Sequence, residues 1–292
     1  MTAATEAPEI DAHLHLWDLS RSGYGWITPG HGPLHADISA EQARAELDGC
    51  GVRRAVLVQA DDTEADTAFL VEVAQRCDWV AGVVGWVQLD EPTIAAGQLE
   101  RWRSERTVCG IRHLVHDDPR DDFLELAGVR SSLRLLADAG FPLDVPDAWP
   151  RHLGPVAELA AALPELTVVV DHLGKPPPAG PEQQQKAWRD VLAMVADRPN
   201  TVAKVSGLQA PGHPFTVEAV RPAWETGLEL FGPDRLMWGS DWPMTLLTAG
   251  YAGTWQVMSA LIGELSADEQ RLLLGDTARR TYRLTAKETT PC

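Results

Sequence analysis

Cysteine is scarce in this chain of 292 residues, with four, at Cys50, Cys77, Cys109 and Cys292. No two form a C-x-x-C pair or a zinc-finger spacing, which argues against a cysteine-built metal knuckle and a disulfide framework. Reduced, mostly buried thiols are expected. Cys109, four residues before His113, is a minor candidate for a nucleophile. Basic residues are also short: 25 Lys and Arg stand against 42 Asp and Glu, for a formal net charge of −17. That balance argues against nucleic acid and anionic membrane surfaces as partners. No run approaches the roughly 20 apolar residues of a membrane helix. Residues 1–9 carry neither a basic start nor an apolar signal core, so a cytoplasmic location is expected. No repeat with a period of roughly 20–50 residues is evident.

Hydrophobic residues, by contrast, make up 45% of the chain, enough for a sizeable core. In Ile10-Asp11-Ala12-His13-Leu14-His15-Leu16-Trp17-Asp18 the apolar residues alternate with Asp11, His13 and His15. This is strand periodicity, and it puts His13 and His15 on one face. That first strand covers residues 9–16. Further strands are read at 54–59, 80–89, 108–115, 141–145, 167–172, 201–206 and 235–240. Helices are read at 39–47, 64–77, 94–103, 131–139, 155–162, 183–196, 222–231, 251–262 and 266–274. Ser39 and Gln42, and again Ser266 and Glu269, have capping-box spacing. Eight largely apolar strands separated by helices predict an α/β fold, a (β/α)8 TIM barrel, as a single domain over the whole chain. A doubly wound open sheet is disfavoured because no glycine-rich phosphate loop follows the first strand. The proline-rich loop at 174–181 is too short for a domain linker.

Barrel enzymes carry their reactive groups at the carboxyl ends of strands. His13, His15, His172 and Asp241 all fall at such ends. Imidazoles and a carboxylate converging from different strands suit one divalent cation, such as zinc, manganese or iron, or a proton-transfer site. His152 reads as an ordinary histidine outside the site. Trp17, Trp86, Trp149, Trp238 and Trp242 lie at or near strand ends. Trp86 and Trp238 read as core, and Trp242, next to Asp241, as pocket wall. The loop Tyr24-Gly25-Trp26, with His31 and His35, could cover the mouth.

The run from Asp11 to Asp18, together with Val170-Asp171-His172-Leu173-Gly174-Lys175-Pro176 and Gly239-Ser240-Asp241-Trp242-Pro243, resembles the amidohydrolase superfamily. More narrowly, it resembles the amidohydrolase 2 branch, which contains sugar-lactone and muconolactone hydrolases. Gly110-Ile111-Arg112-His113 and Lys204-Val205-Ser206-Gly207-Leu208 match two further motifs of that branch. The resemblance spans nearly the whole chain. It implies a barrel, hydrolysis of a lactone ring, and His13, His15, His172 and Asp241 around the reacting carbonyl. Members of the branch differ on metal: some hold one divalent ion, for which zinc is the first choice here, and some lactonases work without one. The superfamily's bridging lysine has no clear counterpart, so a two-metal site is not expected.

Opening a lactone needs an activated water, a stabilised oxyanion and a proton for the leaving alkoxide. Asp241 is the candidate base and then acid. The histidines, or a metal on them, would polarise the carbonyl. Arg112 could hold the oxyanion or the product carboxylate. His113 and Trp242 are candidates for contact with substrate, although strand alternation turns His113 away from Arg112. His116 is a weaker candidate. Two stretches depart from the branch: Gln209-Ala210-Pro211-Gly212-His213 replaces a Thr-Glu-Ala run, and Asp276-Thr277-Ala278 replaces an Asn-Ala pair. The expected partner is a small-molecule substrate, and a homo-oligomer is left open. The alternatives are a metal-dependent decarboxylase of a small aromatic or unsaturated acid, and a non-catalytic barrel that binds a ligand.

Overall fold

The computed structural model describes residues 9–178 and 181–285. The readings made on residues 1–8, 179–180 and Cys292 fall outside the described residues.

Eight parallel strands pair in sequence order: β1 (Ile10–Leu14), β2 (Arg54–Val58), β3 (Val80–Gly85), β4 (Val108–Arg112), β5 (Leu143–Val145), β6 (Val168–Val170), β7 (Thr201–Val205) and β8 (Leu236–Trp238). The ring closes just past the ends of β8 and β1. There Leu14 bridges Trp242, the His15 N–H donates to the Trp242 carbonyl at 2.8 Å, and the Asp241 N–H donates to the His13 carbonyl at 2.8 Å. The fold is a (β/α)8 barrel.

Helices α1 (Ala40–Gly49), α2 (Glu64–Arg76), α3 (Pro92–Ser104), α4 (Ala127–Ala139), α5 (Leu153–Ala162), α6 (Glu182–Ala196), α7 (Val217–Phe231) and α8 (Gly250–Ile262) surround the strands. Their apolar faces, including Leu47, Leu70, Leu133, Leu192 and Trp224, share one large core with the outward side chains of the sheet. A smaller cluster of Ile10, Ala12, Val56, Val58, Val84, Val169, Met237 and Tyr282 fills the barrel. Among the described residues no helix is long and apolar enough to cross a membrane.

Local chemistry accounts for most boundaries. Ser39 caps α1 and Gln42 closes the box. Ser266 and Glu269 do the same for Ala267–Arg271, but that helix widens into a π turn at Leu272–Asp276 instead of continuing to 274. Helix α7 begins five residues before the predicted start at Pro222, because Thr216 accepts from the Ala219 N–H and caps it earlier. Proline suited a first-turn position by its fixed φ, yet here it lies inside the helix. Most predicted strands overrun the observed ones at their carboxyl ends. Past the ladder the rim is still buried at Leu16, Val87, Leu89 and Val115, so the apolar pattern outlasts the strand.

The alternation read in the first strand is also broken. The pairing of β1 with β2 slips between Asp11 and Leu14. Ile10 and Ala12 therefore face the barrel interior, whereas Leu14 and Leu16 join the outer core. Asp11 points outward, accepting from the Tyr251 O–H of α8 at 3.0 Å, while His13 points in. A bulge of this kind re-aims side chains without altering composition.

Candidate active site

The reactive residues stand where strands end. His13 lies in β1 and His15 one residue past it; Arg112 ends β4; Asp171 and His172 follow β6; Asp241 follows β8. His172 (φ 57°) and Asp241 (φ 60°) both hold left-handed backbone. Such a conformation is costly for a non-glycine residue and persists where the surroundings enforce it. Gly207 (φ 55°) makes room for it, since a Cβ there would overlap the His172 ring.

The side chains converge. The Nε2 atoms of His13 and His15 are 3.1 Å apart. Asp241 Oδ1 lies 3.5 Å from His15 Nε2, 3.8 Å from His13 Nε2 and 3.8 Å from His172 Nε2. His15 donates its Nδ1 proton to the Val58 carbonyl at 2.8 Å, which aims Nε2 toward the centre. His172 Nδ1 is held by Ser206 Oγ at 2.8 Å. Gln209 Nε2 donates to Asp241 Oδ2 at 3.1 Å, fixing the carboxylate from its other side.

Beneath them lies a closed set of charges. Lys204, wholly buried in β7, reaches Asp144 Oδ2 at 2.7 Å, Asp171 Oδ1 at 3.0 Å and His13 Nδ1 at 3.1 Å. Tyr282 donates to Asp144 Oδ2 at 2.6 Å. Arg112 contacts Asp171 Oδ2 and His13 Nε2, each at 3.4 Å, and donates to the Gln59 carbonyl. Two cations thus face two carboxylates, the condition under which buried charge is tolerated.

Protonation follows from burial and these partners. Burial, then Lys204, holds His13 well below the ordinary imidazole value. Burial lowers His172 as well, so both rings are neutral with lone pairs to offer. Burial alone would raise Asp241, but His172, His15 and His13 reverse this and hold it below the usual carboxylate range. Burial would likewise neutralise Lys204, but Asp144 and Asp171 keep it charged.

His13, His172 and Asp241 each offer a ligand atom, all within 4.8 Å of one another. His15 adjoins two of the three without joining that mutual set. A tetrahedral zinc with arms of about 2.0–2.1 Å has donor–donor edges of roughly 3.3 Å. Asp241 Oδ1 stands 3.8 Å from the Nε2 atoms of both His13 and His172, close to this. Neutral imidazoles and an ionised carboxylate are also the forms that bind zinc. The residues fit one divalent ion. Lys204 is spent on its carboxylates, Asp144 and Asp171.

Above the cluster is a cavity of about 190 Å³ lined by His15, Arg112, His172 and Asp241, by Trp17, Trp26 and Met244, and by His116, Asp147 and Lys175. Trp17 and Trp26 meet edge to face at 5.5 Å, and each indole N–H is tied to a backbone carbonyl. The loop Tyr24-Gly25-Trp26 thus supplies wall through Trp26, whereas Tyr24 is buried and donates to Asp66 at 2.5 Å.

Two of the expected substrate contacts are corrected here. His113 stacks on Phe123 at 4.2 Å, faces Asp62 and Asp118, and is absent from the cavity wall. Trp242 is buried in the outer core, because the left-handed backbone at Asp241 sends the carboxylate inward and the next side chain out. Cys109 is no nucleophile: burial pushes its thiol pKa up and keeps it protonated. Asp147 and the orienting role of Gln209 escaped the sequence reading. An acidic residue two positions past β5 was the available signal for the first. A polar residue at the departure from the family pattern was the signal for the second.

The amidohydrolase (Amidohydro_2) family model matches residues 10–284. The chain belongs to the amidohydrolase 2 family. It is 33% identical over 285 residues to an L-fucono-1,5-lactonase of Burkholderia ambifaria, covering 94% of this chain and 95% of that one. A crystal structure of an amidohydrolase from Burkholderia multivorans with bound zinc superposes with a TM-score of 0.87 at 30% identity, covering 96% of this chain and all of that one. A 5-carboxyvanillate decarboxylase from Sphingomonas paucimobilis shares the fold at a TM-score of 0.66 and 15% identity, covering 96% of this amidohydrolase and 100% of that chain.

Proposed function

We propose that this amidohydrolase is a lactonase that opens a sugar lactone to its hydroxy acid. The observation that carries the reading is Asp241: an ionised carboxylate with Oδ1 within 3.8 Å of three imidazole Nε2 atoms, at the floor of a cavity sized for one small ring. The similarity to a lactonase over nearly the full length supports it. The decarboxylase alternative draws on likeness of fold alone. The proposed partner is a small molecule, and a formal net charge of −17 speaks against nucleic acid.

In the proposed reaction Asp241 takes a proton from the attacking water as the oxygen bonds to the lactone carbonyl carbon. Charge develops on the carbonyl oxygen, and the Arg112 guanidinium stabilises it. As the ring C–O bond breaks, Asp241 returns the proton to the leaving alkoxide. The imidazoles of His13, His15 and His172 hold Asp241 and the water in register. The faces of Trp17 and Trp26 cover the apolar side of the ring. A divalent ion, zinc first, would be held by His13, His172 and Asp241 and would supply Lewis-acid polarisation and a lower water pKa.

Proton release at pH 7 across a panel of aldonolactones and muconolactones tests this. The wild type acidifies the medium and Asp241→Asn does not. Failure of the wild type to open any of them overturns the reading. About one metal per chain with chelator-sensitive turnover assigns a mononuclear site, and turnover that survives metal removal assigns the work to the imidazoles and Asp241.

A further inference from the structure

The wall residue Trp26 comes from the chain between β1 and α1, residues 15–39. That stretch pairs as a strand only through the isolated bridge from Trp17 to Ile38. A side chain on such a loop is only as well placed as its anchors. Trp26 has two. Its indole N–H donates to the Ala60 carbonyl at 2.7 Å. Its backbone lies inside a turn closed by the Ile27 N–H, which donates to the Tyr24 carbonyl at 2.8 Å.

Both anchors lead to one side chain, Asp66 in the first turn of α2. Asp66 Oδ1 accepts from the Tyr24 O–H at 2.5 Å. Its Oδ2 accepts from the Ala60 N–H at 2.9 Å and from the Asp61 N–H at 3.4 Å. Burying a carboxylate costs free energy unless donors meet it, and here all three come from the segments that carry Trp26 and its carbonyl partner. The cap of α2 makes no demand on this side chain, because Thr63 Oγ1 already accepts from the Asp66 N–H at 3.1 Å. Asp61 adds a second tie, its Oδ2 accepting from the Tyr24 N–H at 3.1 Å and the Ser22 O–H at 2.5 Å. Asp66 and Tyr24 are both buried, and neither lines the cavity.

We propose that Asp66 is a positioning residue for substrate binding. Through Tyr24 and Ala60 it fixes the Trp26 indole in the cavity wall, and it touches no substrate itself. The kinetic consequence rests on the lactonase reading; the placement of Trp26 does not.

Tyr24→Phe keeps the ring and removes the hydrogen bond. It raises KM for the aldonolactone turned over fastest by about fivefold, with kcat within about twofold of the wild type. Asp66→Asn retains an acceptor for the Ala60 N–H and offers an N–H to Tyr24 Oη, so its KM stays within about twofold of the wild type, whereas Asp66→Ala raises KM at least as far as Tyr24→Phe. In a Trp26→Ala background Tyr24→Phe adds nothing further, since two changes that act through one group do not multiply. An unchanged KM in Tyr24→Phe, or a rise that multiplies with that of Trp26→Ala, overturns the proposal. A second arm needs no turnover: fluorine NMR of enzyme labelled with fluorotryptophan. The Trp26 signal, identified by its loss in Trp26→Phe, moves or broadens in Tyr24→Phe, while that of Trp188 in α6, identified in the same way, stays. An unmoved Trp26 signal overturns the positioning role whatever the kinetics. A moved signal in an enzyme that opens no lactone overturns the hydrolytic reading and leaves the positioning role standing.

Discussion

The barrel interior holds two polar clusters that differ in how far the protein satisfies them. In the lower one, Lys204 and Arg112 face Asp144 and Asp171, and Tyr282 caps Asp144 from below. In the upper one, acceptors on His116 and Asp147 lack any protein donor among the described residues, and three imidazoles crowd one carboxylate. Charge that is balanced within the fold serves to hold other groups still. The first cluster grips His13 from beneath through Lys204 and Arg112, so the second inherits its geometry.

Breaking one cluster without the other sharpens that distinction. Asp241→Asn removes the proposed base from the upper cluster; activity falls about a thousandfold or more while the thermal midpoint moves little, as activity and melting assays together would show. Lys204→Met attacks the lower cluster and leaves Asp144 and Asp171 short of a cation. It costs about 3 kcal/mol, lowering Tm by roughly 6–10 °C in a thermal melt, and it also lowers activity in the folded enzyme, because His13 loses its contact from beneath. Trp26→Ala opens the apolar wall and raises KM about tenfold with kcat nearly unchanged, which steady-state kinetics reads directly.

The smallest effect lies outside both clusters. Burial, opposed by Asp118, lowers the His113 pKa from 6.5 to about 4. The unfolded chain therefore takes up a proton that the folded chain refuses between those values. This contribution to stability is complete above about pH 6.5 and is lost as pH falls toward 4. His113→Asn flattens that part of the Tm-against-pH curve, with Asp62 and Asp118 still facing the position. An unchanged slope refutes the assignment.

Much of this was legible in the sequence. The strands announce themselves as apolar runs because helices cover their outer faces, and His13, His172 and Asp241 sit where those runs stop. What pattern alone could not reveal was direction. The slip between Asp11 and Leu14 and the left-handed backbone at His172 and Asp241 arise where distant strands close on one another. Trp242 was consequently placed in the wall and found in the core. Asp147 was hidden for a related reason, since loops carry no periodicity to show which side chain turns inward.

The seam of the barrel gives the site an unusual dependence on the whole chain. The same two backbone hydrogen bonds that join the first strand to the region after the last also tether His13 to Asp241 and His15 to Trp242. Completing the cylinder and assembling the reactive centre are thus a single event. A half-folded chain is inert rather than sluggish, and any molecule held jointly by His13 and Asp241 acts as a clasp against opening at that join.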